Sequence, residues 1–338
     1  MNTADRGNSF KRWIQSGVLL CGFMAGAAVA QTQTEFSWKG KGDGTSWSDA
    51  KNWTEGVVPT GSGTDWRPPA RIDVSGAEVT ISKKVPRFFG DINVGAGGKG
   101  CVLNIMPDGA LVMQGTLKIG ETGFAKFNMT GGSLTIGVWG ARDLRIGNGV
   151  MTFGSPVAET APEIKVVEAS RGFGSGLNKE EDSEVNLSGF GSITTAERAC
   201  FSLYGKSVLN VVGGNLKLVF DTKATGLNRI GGDHRNYKAV FNYTFDASGA
   251  STMHFGGDVV FGVAEFNLAL GEGFSARPGD VFTIVSTQGN FTGQKGFVNV
   301  ANGQEISVGG YIFRADYIVD PTGKDQFTLT VVSVNIIG

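Results

Sequence analysis

Between Ile92 and Gly137 the chain repeats a short unit of apolar, polar and apolar residues. The triplets are Ile92-Asn93-Val94, Leu103-Asn104-Ile105, Leu111-Val112-Met113, Leu117-Lys118-Ile119, Phe127-Asn128-Met129 and Leu134-Thr135-Ile136. Alternation with period two is that of a strand with two side chains inward and one outward. Equivalent positions recur after 25 residues (Ile92 to Leu117), 24 (Leu103 to Phe127) and 23 (Leu111 to Leu134). A period of that size holding three strands predicts a solenoid: an all-β parallel β-helix in which each coil stacks on the last. At about 24 residues per coil and about 4.8 Å between strands, residues 92–270 make roughly seven coils and a stack about 35 Å long.

Glycine supports this reading, with 53 in 338 residues against 18% charged. Gly95, Gly120, Gly137 and Gly147 each close an apolar strand as Val-Gly or Ile-Gly, where a corner needs dihedrals that a Cβ resists. Abundant Val, Ile, Leu and Phe argue against disorder. The midway residues Asn93, Asn104, Asn128 and Thr135 are expected to face outward.

The ends differ from the body. Residues 1–30 read as a signal peptide, with Arg6, Lys11 and Arg12 before the apolar run Gly17 to Ala27 and a small-x-small site at Ala28-Val29-Ala30, so the expected mature start is Gln31. The apolar run is shorter than the roughly 20 residues of a membrane span, and no later segment is apolar enough to be one. The expected location is secreted, extracellular or at the cell surface, with the periplasm as the alternative. Residues 31–90 form an expected N-terminal cap and first strands, 91–270 the solenoid body, and 271–338 an antiparallel β section, where turn signals recur about every ten residues. Pro156 and Pro162 mark an excursion at 154–184, and a second polar excursion spans 221–238. Removing the signal leaves 27 basic and 30 acidic residues, a net charge of −3, which gives no basic surface for nucleic acid.

Both ends carry a motif. Trp38, Gly44, Trp47, Asn52, Trp53 and Pro59 follow a W…G-x-x-W-x-x-x-x-N-W…P pattern, and Pro278-Gly279-Asp280, Phe282, Ile284, Tyr317, Gly323 and Leu329-Thr330 follow a closing P-G-D-x-F-x-I and G-x-D-x-x-x-L-T pattern. With the repeats between them, the chain resembles the secreted β-solenoid surface proteins of planctomycetes and verrucomicrobia, of the autotransporter-associated repeat and PEP-CTERM type. The resemblance implies a right-handed helix and a bacterial cell-surface setting, and it covers most of the mature chain. The chain departs from that type in ending on the strand-like VVSVNIIG, without the Pro-Glu-Pro sorting anchor and without room for an outer-membrane barrel. Release or non-covalent attachment is therefore expected.

Candidate chemistry is sparse. Trp38, Trp47, Trp53 and Trp66 either stack on sugar rings or plug the open end of the solenoid, and the plug is the favoured reading. Glu180, Glu181, Asp182 and Glu184 are candidate calcium ligands without the spacing of a calcium loop. Cys101 and Cys200 are two buried thiols or one disulfide. His254 sits in the strand triplet Met253-His254-Phe255, and no Gly-x-Ser-x-Gly elbow, paired-histidine or paired-cysteine motif is present. The second excursion holds Arg229, Asp233, His234, Arg235 and Tyr237. Asp233, His234 and Arg235 are the catalytic candidates for a polysaccharide lyase or hydrolase, with Asp221 or Asp246 as a further member, and Arg229 and Tyr237 are binding candidates. A groove enzyme would draw acids from stacked coils at the repeat period, and no such column of Asp or Glu stands in register. The sequence therefore favours a non-catalytic structural, matrix or adhesion protein, with polysaccharide binding or cleavage as the alternative. Extracellular polysaccharide or cell-envelope components are the candidate partners, and no cofactor is expected.

Overall fold

The computed structural model describes residues 35–60, 68–97, 100–137, 142–167, 172–178, 181–223, 227–232 and 237–335. The expected signal peptide and its cleavage site lie outside these residues, as does Trp66.

Seven complete coils of three strands each form the body. They are Ile92–Val94, Cys101–Ile105 and Ala110–Met113; Leu117–Ile119, Ala125–Met129 and Ser133–Ile136; Leu144–Ile146, Gly149–Phe153 and Glu163–Val166; Phe173–Ser175, Asp182–Ser188 and Gly191–Thr195; Ala199–Phe201, Lys206–Val212 and Leu216–Phe220; Asn228–Ile230, Ala239–Phe245 and Met253–Phe255; and Val259–Phe261, Ala264–Leu270 and Val281–Thr287. First strands stack into sheet A, second into sheet B and third into sheet C, and the pairing between successive coils is parallel. Phe36–Ser37 and Ala70–Ile72 precede the body on sheet A, and Glu78–Ile81 precedes it on sheet B. This is a β-solenoid with one inward and one outward residue in turn.

The inward residues stack in columns. On sheet B, Leu103, Phe127, Met151, Val185, Leu209, Phe241 and Phe266 lie in register, all nearly or fully buried. Fully burying each such side chain contributes about 1.5–3 kcal/mol. The core changes character along the stack. Leu, Ile and Met predominate in the first coils, beside Phe127 and Phe153, whereas Phe173, Phe201, Phe220, Phe241 and Phe255 fill the later ones with ring centroids 5.3–6.1 Å apart. Rings at those distances prefer the tilted and edge-on packing seen here.

The repeat is constant in its strands and variable in its loops. On sheet A the step is 25 residues from Ile92 to Leu117, 29 from Leu144 to Phe173 and 32 from Val259 to Phe291. The extra residues sit between strands, so the ladder is undisturbed. Gly120 shows why the corners need glycine: its φ is +72°, and a Cβ there would run into the Asn148 carbonyl of the next coil.

Parallel stacking continues past residue 270, where the sequence placed the change to antiparallel packing. Val281–Thr287 pairs in parallel with Met253–Phe255, and Phe291–Gly293 with Val259–Phe261. Val281–Thr287 then pairs antiparallel with Gln326–Val334, which continues through Tyr311–Ile318 to Gln304–Val308. One strand thus belongs to both arrangements.

At both ends of the stack, bridges and side-chain bonds cover part of the sheet edges. At the start, isolated bridges join Ser46 to Thr80, Lys84 to Ala110 and Phe88 to Met113. At the other end Val298 donates its N–H to the Ala264 carbonyl (2.8 Å). The Asn299 side chain accepts from the Phe266 N–H and donates to its carbonyl, both at 2.9 Å. Such devices satisfy an edge that would otherwise pair with another chain.

Candidate functional site

The outward position of sheet A carries four basic side chains. In register it reads Arg71, Asn93, Lys118, Arg145, Gly174, Cys200, Arg229 and Val260. In the early coils each cation meets acids: Arg71 lies 3.3 Å from Glu35, Lys118 lies 3.2 Å from Glu121, and Arg145 lies 2.7 Å from the buried Asp143. Beyond Arg145 the column loses bulk at Gly174 and Cys200, and a hollow opens.

That hollow is a pocket of about 200 Å³ lined by Leu177, Arg198, Cys200, Leu203, Leu227 and Arg229. It spans the fourth, fifth and sixth coils and touches both polar excursions. Gly174 makes its floor possible, because a Cβ there would strike the Leu177 side chain, which folds over it. Arg198 enters just before Ala199–Phe201, and Arg229 is the central residue of the next strand up the stack. Leu227, at the rim, is 56% exposed. Of these residues the sequence had singled out Arg229 as a binding candidate and Cys200 only as a thiol. Arg198, outside any motif and any triplet, carried no signal.

The other candidates fall elsewhere. Asp233, His234, Arg235 and Glu180 lie outside the described residues. Tyr237 is half-buried, and its backbone packs against Gly232. Asp221 is fully buried and accepts from Asn228 Nδ2 at 3.0 Å, while Asp246 accepts from both the N–H and hydroxyl of Ser248 in a tight turn. Both hold backbone in place. His254 faces outward on sheet C with Nδ1 2.8 Å from the Ser286 hydroxyl.

Three further sets of candidates are placed as follows. First, Trp38, Trp47 and Trp53 are at most 2% exposed and pack edge to face, with centroids 5.1 and 4.7 Å apart, so none has a ring face open to a sugar. Trp53 Nε1 donates to the Trp47 carbonyl at 2.8 Å. Second, the acidic run does not converge. Glu181 is buried and takes both its contacts from Asn178, Asp182 points out toward Lys206, and Glu184 accepts from Asn210. Among the described residues no group of three potential ligands could hold a metal. Glu181 is turned inward, while Asp182 and Glu184, two places apart on one strand, both face outward. Third, Cys101 and Cys200 form no disulfide. Cys101 faces the core of the first coil and Cys200 the outside of the fifth, on another sheet; four coils at about 4.8 Å put them about 19 Å apart along the stack, beyond disulfide reach. Burial pushes the Cys101 thiol up, and its Sγ donates to the Val74 carbonyl at 3.3 Å.

A feature the sequence reading missed runs along the outside of sheet B. Asn104, Asn128, Thr152, Asn186, Asn210, Asn242 and Asn267 stand in register. Asn128 Nδ2 donates to Asn104 Oδ1 (2.9 Å), Asn210 to Asn186 (2.6 Å), Asn242 to Asn210 (2.7 Å) and Asn267 to Asn242 (2.8 Å). All four donate in the same direction, toward the start of the chain. The signal was present, since each asparagine is the centre of an apolar triplet. The unequal loops hid the register.

Compared with known proteins, the chain matches no family model, no curated protein and no solved structure. The class defined by its fold is the β-solenoid, three-sided and closed by an antiparallel sheet. No helix among the described residues is long and apolar enough to cross a membrane.

Proposed function

We propose that this protein is a secreted, non-catalytic structural or adhesion component of a bacterial cell surface or extracellular matrix, akin to the solenoid surface proteins that its two end motifs resemble. The observation that carries this reading is the unbroken register of seven filled coils with their end edges partly covered. Such a stack resists bending because every coil is tied to the next by ladders and core contacts, and four of the six steps add an asparagine bond. Covered edges favour a defined length over open-ended growth. A part with those properties suits a spacer.

Fractionation of the source cells with surface labelling tests this. The protein should appear in the envelope or medium, starting at Gln31, and cells lacking it should attach or aggregate differently. Retention of uncleaved protein in the cytoplasm would reject the reading.

Polysaccharide binding is the second reading. It is favoured by an open groove of about 330 Å³ on sheet B lined by Phe124, Val150, Asp182, Glu184, Lys206 and Val208. Phe124, 37% exposed, offers a ring edge, and the charged side chains offer hydrogen bonds to hydroxyls. A panel of polysaccharides scored for both retention and release of new chain ends separates the two readings: retention lost in Phe124→Ala supports binding, and chain ends released by the wild-type protein would make it an enzyme.

A further inference from the structure

We infer that the strand Gln304–Val308 is a pairing edge for a second copy of this chain, joined antiparallel across a two-fold axis centred on Ile306. The inference adds to the surface role proposed above and does not rest on it.

The sheet margins come first. Three sheets have six margins, and another segment meets five of them. On sheet A the Thr54 hydroxyl accepts from the Ser37 N–H (3.1 Å) and donates to the Ser37 carbonyl (2.9 Å), and Asp325 Oδ2 accepts from the Phe291 N–H at 2.7 Å. On sheet B the Ser46 bridge lies at one margin, with Val298 and Asn299 at the other. On sheet C the Lys84 and Phe88 bridges lie at the first margin. The sixth margin is Gln304–Val308, paired with Tyr311–Ile318 on one side alone. A strand in that state is a template for another strand. This one carries no proline, lysine or bulge, the usual means of blunting an edge.

Polarity comes second. The hairpin turn has two residues, Gly309 and Gly310, with φ +54° and +81°, and Val308 faces Tyr311 across it. Such a turn leaves its flanking pair exchanging both hydrogen bonds, and bonded and non-bonded pairs alternate from there. Val308, Ile306 and Gln304 therefore bond within the hairpin, while Glu305 and Ser307 turn their N–H and C=O groups to the outer side. Both residues are exposed, and among the described residues no other segment bonds to their backbone.

Register comes third. Centred on Ile306, two copies set Glu305 opposite Ser307 in both halves, and each such pair exchanges both backbone bonds. Every Glu305 carboxylate then faces a Ser307 hydroxyl of the other copy. Ile306 and Val308 are half-buried against the core. Ile306 meets its own copy as a close non-bonded pair and loses its remaining exposure. A shift of two residues one way would set Glu305 on Glu305, like charge against like. The same shift the other way runs the overlap into the turn. A two-fold pair uses both edges and closes, so assembly stops at the dimer.

Sedimentation of the mature chain at concentrations up to about 100 μM should show monomer exchanging with a species of twice its mass. Ser307→Pro removes an outward N–H and spares the bonds to Tyr311–Ile318. It should weaken dimerisation about tenfold or more with an unchanged melting curve. In Ile306→Cys the facing Cα atoms lie about 4.5 Å apart, within disulfide reach, so mild oxidation should give a covalent dimer. Gln304→Cys, opposite Val308, should give none, and neither should the wild-type protein, whose Cys101 and Cys200 are buried. A protein that stays monomeric at about 100 μM would overturn the inference and leave the edge to a strand of another protein. Unchanged dimerisation in Ser307→Pro would overturn it by placing the contact elsewhere, as would equal cross-linking at positions 304 and 306. If Ser307→Pro melts early, the two cysteine variants decide.

Discussion

Replacing Tyr243 by phenylalanine should stabilise the protein. Tyr243 points into the core from sheet B, stacked between Val211 and Leu268, is 1% exposed, and its hydroxyl has no hydrogen-bond partner. Burial alone pushes its phenol far above the usual tyrosine range. A buried hydroxyl without a partner costs about 1–3 kcal/mol. The ring itself stays, packed on Phe266 at 5.6 Å. Removing the oxygen leaves a void on the order of 10 Å³, which costs about 0.2 kcal/mol at about 24 cal/mol per Å³. The net expectation is about 1–2 kcal/mol of added stability. With a guanidinium slope of about 5 kcal/mol per molar for a chain this long, the midpoint rises by about 0.2–0.4 M. Equilibrium unfolding followed by far-ultraviolet circular dichroism and by tryptophan fluorescence measures it, and the slope should stay the same. The two probes matter because coiled repeats can unfold in parts, and the described tryptophans sit at the opposite end from Tyr243. A lower midpoint, or none of the expected rise, would refute the reasoning and point to a bound water satisfying the hydroxyl.

Three other outcomes are expected. Asn210→Ala removes the ladder bonds to Asn186 and from Asn242 and should cost about 1–3 kcal/mol at about 0.5–1.5 per bond, whereas Asn210→Thr, which copies the Thr152 rung, should cost less; the same unfolding curves decide. In the chain starting at Gln31, two thiols should titrate in denaturant without reductant, and reductant should leave the melting temperature where it was, since Cys101 and Cys200 form no disulfide; a reductant-sensitive transition would contradict the separation of the two coils. Stability should fall as pH rises from about 10 to about 12: burial raises the Tyr317 phenol to about 12, so the unfolded chain releases its proton first and gains from each step of that rise. Tyr317→Phe should flatten the fall, read from the unfolding midpoint at pH 9, 10 and 11.

The strands were legible because side-chain alternation is a local property: Leu117-Lys118-Ile119 declares its faces without reference to anything else. So was the burial of the tryptophans, whose spacing with Gly44 and Asn52 suits a closed cluster. Register was not legible, because coils of 23 to 35 residues break any fixed period, as between Leu111 and Leu134 or Leu218 and Met253. The hollow beside Cys200 was hidden for the same reason. Arg198 and Arg229 are 31 positions apart and meet only once the ladder pairs Cys200 with Arg229. The parallel strands after residue 270 were masked by Pro278-Gly279-Asp280, a turn that reads as a hairpin but delivers the chain back onto the stack.

The asparagine ladder also governs where this protein can be made. A strand's outward residues recur every second position, so a ladder asparagine is followed two places on by another outward residue, and here that residue is often Thr or Ser. Asn128-Met129-Thr130, Asn186-Leu187-Ser188 and Asn242-Tyr243-Thr244 are thereby acceptor sequences for N-linked glycans. Secretion through a eukaryotic host would place sugars on them before the coils close. The amide nitrogens of Asn128 and Asn242 are the ladder's donors, the Asn186 carboxamide accepts from Asn210, and no glycan fits between coils about 4.8 Å apart. Asn52, in a fourth such sequence, is fully buried with its nitrogen given to Asp43 and to the Ser46 carbonyl. Only Asn290, in the fifth, is exposed. A bacterial host leaves the ladder intact.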